Sequence, residues 1–381
     1  MFELVDNLII ELTRRCNLSC SYCYLKGTVD DQGIDLMSLD TYRALLDRVV
    51  RDRKSKNDLR VTFHGGETLT IGNEAFEKYL SILKTDLIER VGYRVRTNLQ
   101  TNGTLIDDDT VALFKKYGVV PSISYNGSLD TDLTRCGSTH RVIEAFRRLD
   151  RAEVQYGIIG VLDKNNVDRH AQLVSELDRR KYCNSFKLNR VVDVEGGCPV
   201  GATVDEYFCN HFVASSDDLL SHRVDKIEHG VYQCLKRFYR HEILGEKRSE
   251  QGICGLEICG SGVHVIAVAP DGEVLPCARY CDHTYSLGSV LNSDLLGLGK
   301  MRTLVRLTSD RIRFYSSKNC SCCRYSSICT HTCYALYRNG RESFREVCCL
   351  MGLIYEYCEH ERSRIEGYFS DTREDNSASI R

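Results

Sequence analysis

Three cysteines, Cys16, Cys20 and Cys23, form a C-x3-C-x2-C array in the segment ELTRRCNLSCSYCYLKG. Three thiolates at this spacing can hold three irons of a [4Fe-4S] cluster and leave the fourth iron open to a small ligand. Zinc is the competing reading, but a closed structural zinc site calls for a fourth protein ligand. A second array lies far downstream: Cys254, Cys259 and Cys277, then Cys320, Cys323, Cys329 and Cys333, then Cys348. Two zinc ribbons compete with iron–sulfur clusters there. Cys322 and Cys349 stand beside the array as alternative ligands, and Cys281, Asp282 and His283 follow Cys277 closely enough to offer a thiol or an acid–base group.

Composition narrows the setting. The chain has 381 residues, 20 cysteines, no tryptophan, and 51 basic against 53 acidic side chains. A chain this long buries a full core without disulfides. The opening MFELVDNLII has no basic region and no long apolar run. No stretch of about 18 apolar residues occurs that would span a bilayer. The expectation is a cytoplasmic protein, in which thiols bind metal more often than they pair. A net charge of -2 argues against a nucleic-acid surface.

The elements that must position the first array alternate in type. Strands are expected at 8–13, 59–63, 93–100, 119–125, 155–162 and 186–192, and helices at 40–53, 73–90, 107–117, 138–151 and 167–180. Asp107 starts one helix as a cap and Gly118 ends it. Six such βα units are too few for an eight-stranded barrel, which leaves an incomplete barrel or an open doubly wound sheet. The cysteine triplet falls in the loop after the first strand, at the edge where α/β active sites form. The expected division is 1–200 for this α/β part, 201–250 for a helical bridge, 251–362 for a cysteine-rich domain and 363–381 for a polar tail, disordered from Phe369 to Arg381.

With Tyr22 directly before its third cysteine, the triplet resembles the signature of radical S-adenosylmethionine (SAM) enzymes. The resemblance continues at later strand ends. Gly65, Gly66 and Glu67 in FHGGET match the segment that meets the amino group of SAM, with Thr68 where the family usually has proline. QTNGTLI, with Gln100 and Asn102, matches a further family segment. SISYNGS keeps Ser124 and puts Asn126 where the family often has an acid. Arg135 matches an arginine that pairs with the SAM carboxylate, a task suited to a guanidinium. The fold so implied is a partial (β/α)6 TIM-like barrel.

The downstream cysteines resemble the SPASM extension of peptide-modifying radical SAM enzymes. That resemblance implies two auxiliary [4Fe-4S] clusters, one held by Cys254, Cys259, Cys277 and Cys333, the other by Cys320, Cys323, Cys329 and Cys348. It implies three clusters in all, S-adenosyl-L-methionine, and an external electron donor such as a flavodoxin or ferredoxin. The implied activity is reductive cleavage of SAM to a 5'-deoxyadenosyl radical that takes hydrogen from a ribosomally made precursor peptide, leading to an intramolecular side-chain crosslink. Sulfatase-type formylglycine maturation is an alternative, but there the cysteine of G-x4-C is followed by a catalytic aspartate, and here Ala278 follows Cys277. Small-molecule dehydrogenation and a non-catalytic zinc-binding module are further alternatives. Because the first strand starts by residue 8, leader recognition is expected on another surface or on a separate protein. Asp193 and Glu195 at the sixth strand end are weaker candidates, while His64 is read as a packing residue and His331 lies inside the cysteine array without a spacing that makes it a ligand.

Overall fold

A computed structural model describes residues 2–23, 25, 36–128, 134–190, 202–224, 226–247, 259–280, 284–292, 296–330, 333–338 and 344–375. The chain divides into two compact units, Met1–Ile159 with Gly260–Arg313, and Gly160–Cys259 with Phe314–Arg381. These units cut across the sequential boundaries at 200, 250 and 362, because the chain leaves the first unit and returns to it. The strands among the described residues are β1 (Asn7–Thr13), β2 (Leu59–Gly65), β3 (Val95–Thr101), β4 (Val119–Ser124), β5 (Tyr156–Leu162), β6 (Cys183–Arg190), β7 (Ile227–Glu228), β8 (Val265–Val268) and β9 (Val274–Leu275).

In the first unit each strand from β1 to β5 pairs in parallel with the next, Leu8 opposite Val61, Val61 opposite Thr97, Leu99 opposite Pro121 and Ile123 opposite Ile158. The order runs without the reversal that defines a doubly wound sheet, so the barrel-like alternative holds. Strict alternation drives this: Leu59, Val61 and Phe63 of β2 are fully buried, and Phe63 meets Phe76 of the helix Asn73–Leu83 edge-on at 5.3 Å. Burying each such side chain contributes roughly 1.5–3 kcal/mol. Ser38 and Asp107 cap the helices Leu39–Asp52 and Asp108–Tyr117 by accepting from the amides of Thr41 and Thr110, and Gly118 ends the second at φ 63°. The helix expected over 73–90 is regular only to Leu83 and continues as a wider π turn, Lys84–Glu89.

Two strands of this unit escaped the sequence reading. β8 pairs in parallel with β1, Asn7 opposite Val265, and β9 runs antiparallel to β8. All four residues of β8 are buried, so the segment carries no alternation to betray it.

In the second unit β6 pairs in parallel with β7, Ser185 opposite Ile227. β6 starts at Cys183, three residues before the expected start at Phe186. The stretch expected to be one helical bridge is broken by β7 into the helices Val204–Tyr207, Ala214–Leu220 and His229–Phe238, with π turns at Phe208–Val213 and Tyr239–Ile243. Phe212, Leu235, Phe238, Tyr355 and Ile365 belong to its core.

The tail, expected to be disordered from Phe369, is instead helical through Arg362–Asp375. Ile365 and Phe369, four residues apart on one face, are 0% and 5% exposed, and the Phe369 ring stacks on Tyr239 at 5.2 Å. Two anchors in a charged sequence sufficed to dock it, which a composition argument does not register. Among the described residues no helix is long and apolar enough to cross a membrane.

Candidate active site

The cysteine loop follows β1 in the first unit and is seated on the double glycine at the end of β2. The Gly66 amide donates to Thr13 O at 3.0 Å and the Glu67 amide to Arg15 O at 2.7 Å. A Cβ on Gly66 would stand 2.1 Å from Arg15 O and 2.4 Å from Arg14 O, and one on Gly65, at φ 122°, 2.4 Å from Thr13 O. The glycines are therefore required where two backbones meet, before any ligand is considered. On the other side, the Ser21 amide donates to Thr134 O at 3.0 Å, and Ser19 Oγ lies 3.4 Å from Cys136 Sγ.

Glu67 is fully buried, and its carboxylate accepts from the Leu69 amide, the Thr101 hydroxyl and the Asn102 amide at 2.7–3.1 Å. Burial raises its pKa, against the pull of these donors and of Arg135. Its side chain thus ties the end of β2 to the end of β3. Asn102, at the end of β3, donates from Nδ2 to Asn17 Oδ1 at 2.8 Å and stands 3.9 Å from Cys16 Sγ. Gln100 donates to Ser124 Oγ at 3.2 Å, joining β3 to β4.

Arg135 is 3% exposed. It donates from Nη1 to the Tyr22 hydroxyl at 3.1 Å and from Nη2 to Asn102 O at 3.3 Å. Asn126 Nδ2 donates to the same Tyr22 hydroxyl at 3.2 Å and to Thr134 Oγ1 at 3.2 Å. Sequence reading singled out Asn126 only as a departure; the structure makes it part of the frame that holds Tyr22. Arg135 Nε is buried with no hydrogen-bond partner among the described residues. A buried guanidinium with a donor to spare is a seat for a carboxylate, and this donor set fits SAM.

Burial raises the thiol pKa of Cys16 and Cys20, and the neighbouring cysteines raise it further, while Arg135 opposes the shift at Cys20. Cys136 also contributes at Cys20. Spacing gave no hint of this neighbour, because it arrives from the loop after β4. Among the described residues no three His, Cys, Asp or Glu side chains converge closely enough to share a single metal ion. A four-iron cluster takes each thiolate on a different iron, so its ligands do not converge on one point.

In the second unit a cavity of about 280 Å³ is lined by Cys320, Cys323, Cys329 and Cys348, with Tyr325 and Tyr355. Cys320–Cys322 form a single 3-10 turn, the Cys329 amide donates to Tyr325 O at 2.8 Å, and Cys348 comes from the helix Phe344–His360. Cys322 and Cys349 are exposed and do not line it. Burial first, then the other cysteines, raise the thiol pKa of Cys320 and Cys348. Of the other expected auxiliary ligands, Cys259 and Cys333 belong to this unit and Cys277 to the first. Cys254, Cys281, Asp282, His283, His331, Asp193 and Glu195 lie outside the described residues. Ala278 is buried in the first unit and packs with Ala267, Leu275 and Ile9.

Residues 10–176 match the Radical SAM superfamily. The chain is similar to a cysteine-type anaerobic sulfatase-maturating enzyme of Clostridium novyi, 23% identical over 302 residues that cover 74% of this chain and 76% of the relative. A like-named enzyme of Clostridium perfringens is 22% identical over 352 residues, 86% of this chain and 88% of the relative. Among solved structures, native anSMEcpe with bound AdoMet and Cp18Cys peptide superimposes with a TM-score of 0.74 at 20% identity, covering 96% of this chain and 99% of that one. Streptococcus suis SuiB bound to the precursor peptide SuiA gives 0.64 at 17% identity, covering 90% and 76%. Strand order, the seated cysteine triplet and the buried Arg135 agree with that match: residues 10–176 carry the features of a radical SAM domain, a family whose cofactors are SAM and a [4Fe-4S] cluster.

Proposed function

We propose that the protein is a radical SAM peptide maturase that joins side chains of a ribosomally made peptide. When bound, SAM and the cluster supply a 5'-deoxyadenosyl radical that takes hydrogen from a substrate carbon. The residues of this chain do the rest. Cys16, Cys20 and Cys23 hold the first cluster on a loop fixed by Gly65 and Gly66. Arg135, oriented by Tyr22 and Asn102, takes the SAM carboxylate, and Gln100 with Ser124 lines the neighbouring strand ends. Cys320, Cys323, Cys329 and Cys348 hold one auxiliary cluster, and Cys254, Cys259, Cys277 and Cys333 another. An external electron donor of the flavodoxin or ferredoxin kind supplies reducing equivalents.

Ala278 carries the choice of reaction. The position that bears the aspartate in sulfatase-maturing members is here a buried methyl in an apolar cluster, with no group to move a proton. The sulfatase reading is favoured by the names of the relatives and requires another base, for which Asp282 and Cys281 are the candidates.

Anaerobic incubation of the reconstituted protein with SAM, reductant and the peptide encoded beside it, read by mass spectrometry, separates the two. Loss of two hydrogens with no carbonyl trapped by a hydrazide probe supports crosslinking; a trapped aldehyde on a cysteine or serine peptide overturns it. Cys16→Ala is expected to abolish 5'-deoxyadenosine formation, and unchanged SAM cleavage would sink the cluster assignment.

A further inference from the structure

Behind the four-cysteine cavity of the second unit lies a buried cation. Arg237, on the helix His229–Phe238, is 4% exposed, and it hydrogen-bonds the hydroxyl of Tyr355 and the thiol of Cys234. Tyr355 is fully buried, lines the cavity, and donates its own proton to Ile328 O at 3.1 Å. The next residue is Cys329, whose amide is held by Tyr325, and the Tyr325 and Tyr355 rings lie 5.1 Å apart. A continuous relay therefore runs from guanidinium to hydroxyl to the peptide carbonyl preceding a cavity cysteine.

Burial pushes the thiols of Cys234 and Cys358 up, keeping both neutral. Glu228, whose field also reaches Cys234, accepts from the amides of Leu188 and Val231. Burying a cation is costly unless an opposite charge faces it. A [4Fe-4S] cluster on four thiolates is anionic and gains a further negative charge on reduction.

We propose that Arg237 is a positioning residue that acts through Tyr355 as the buried counter-charge of the cluster held by Cys320, Cys323, Cys329 and Cys348, raising that cluster's reduction potential. The inference rests on the auxiliary-cluster reading above and goes beyond it. Charge and hydrogen bonds around the ligands are the levers by which a protein sets such potentials.

The test is an anaerobic redox titration of the full-length reconstituted protein, followed by electron paramagnetic resonance, with iron and sulfide assayed on each sample. Arg237→Gln is expected to lower the midpoint of one cluster, with the equilibrium for reduction falling roughly tenfold, about 59 mV for one electron. Arg237→Lys, which keeps the charge, is expected to restore most of it. An unchanged midpoint in Arg237→Gln at full iron content overturns the proposal. Should the glutamine variant fail to fold, Tyr355→Phe keeps the ring and removes the hydroxyl: a lowered midpoint supports the relay and an unchanged one overturns it. Cys348→Ala tests the underlying reading separately, since full iron content and all cluster signals in that variant would remove the cluster itself.

Discussion

Arg135 donates to the Tyr22 hydroxyl at 3.1 Å, so the aromatic residue inside the cysteine triplet orients the guanidinium that arrives from the loop after β4. Arg135→Lys keeps a charge but loses the fork that reaches Tyr22 and Asn102 together. SAM affinity, measured by calorimetry, is expected to fall tenfold to a hundredfold, about 1.4 kcal/mol per factor of ten. Tyr22→Phe removes one acceptor and is expected to have a smaller effect in the same direction. Unaltered affinity in both variants would remove Arg135 from the SAM site.

Gly66→Ala places a methyl against the carbonyls of Arg14 and Arg15, which are backbone and cannot swing aside. The cysteine loop must shift. We expect the fold to survive, while iron bound by the reconstituted protein drops by roughly a third, one cluster of three. Circular dichroism and an iron assay on the same sample check both halves of this expectation.

Cys323 lines the four-cysteine cavity and its neighbour Cys322 does not. Cys323→Ala is expected to cost about four irons per chain and Cys322→Ala none. Equal losses from the two variants would contradict the ligand assignment.

His64 is held neutral by burial, aided by the positive charge of Arg279, with its pKa lowered to about 4 from 6.5. Below pH 6.5 the unfolded chain binds a proton that the folded chain refuses, so stability falls as pH drops from 6.5 towards 4. The effect is on the order of 2 kcal/mol. Urea midpoints of the wild type and His64→Gln, compared at pH 7 and pH 4.5, are expected to converge at the lower pH.

Phe369→Ala removes a ring packed on Tyr232, Tyr239 and Tyr368. A loss of roughly 3–5 kcal/mol is expected in denaturant unfolding, against almost nothing for a truly disordered tail.

Phe369 also marks where sequence reasoning stops. The five βα strands of the first unit were legible because β2 and its neighbours alternate buried and less buried residues, a period that survives in any single sequence. The cysteine triplet was legible because its members are local. β8 was hidden by uniform burial, and the helix Arg362–Asp375 by charges that outnumber its anchors. Least legible were contacts made in three dimensions: Cys136 beside Cys20, Asn126 on Tyr22, and Arg237 on Tyr355 join residues with no periodic relation. The grouping of Cys320, Cys323, Cys329 and Cys348 was anticipated from family resemblance, whereas the buried arginine behind it had no motif to announce it.

Asn102 has a consequence for how the site assembles. Its side chain stands beside Cys16, its amide is fixed by Glu67 and its carbonyl by Arg135, so one residue spans the proposed iron seat and the proposed carboxylate seat. Ordering it for one ligand orders it for the other. Iron loading and SAM binding are then linked equilibria, and thermodynamic reciprocity requires that each strengthen the other by the same factor.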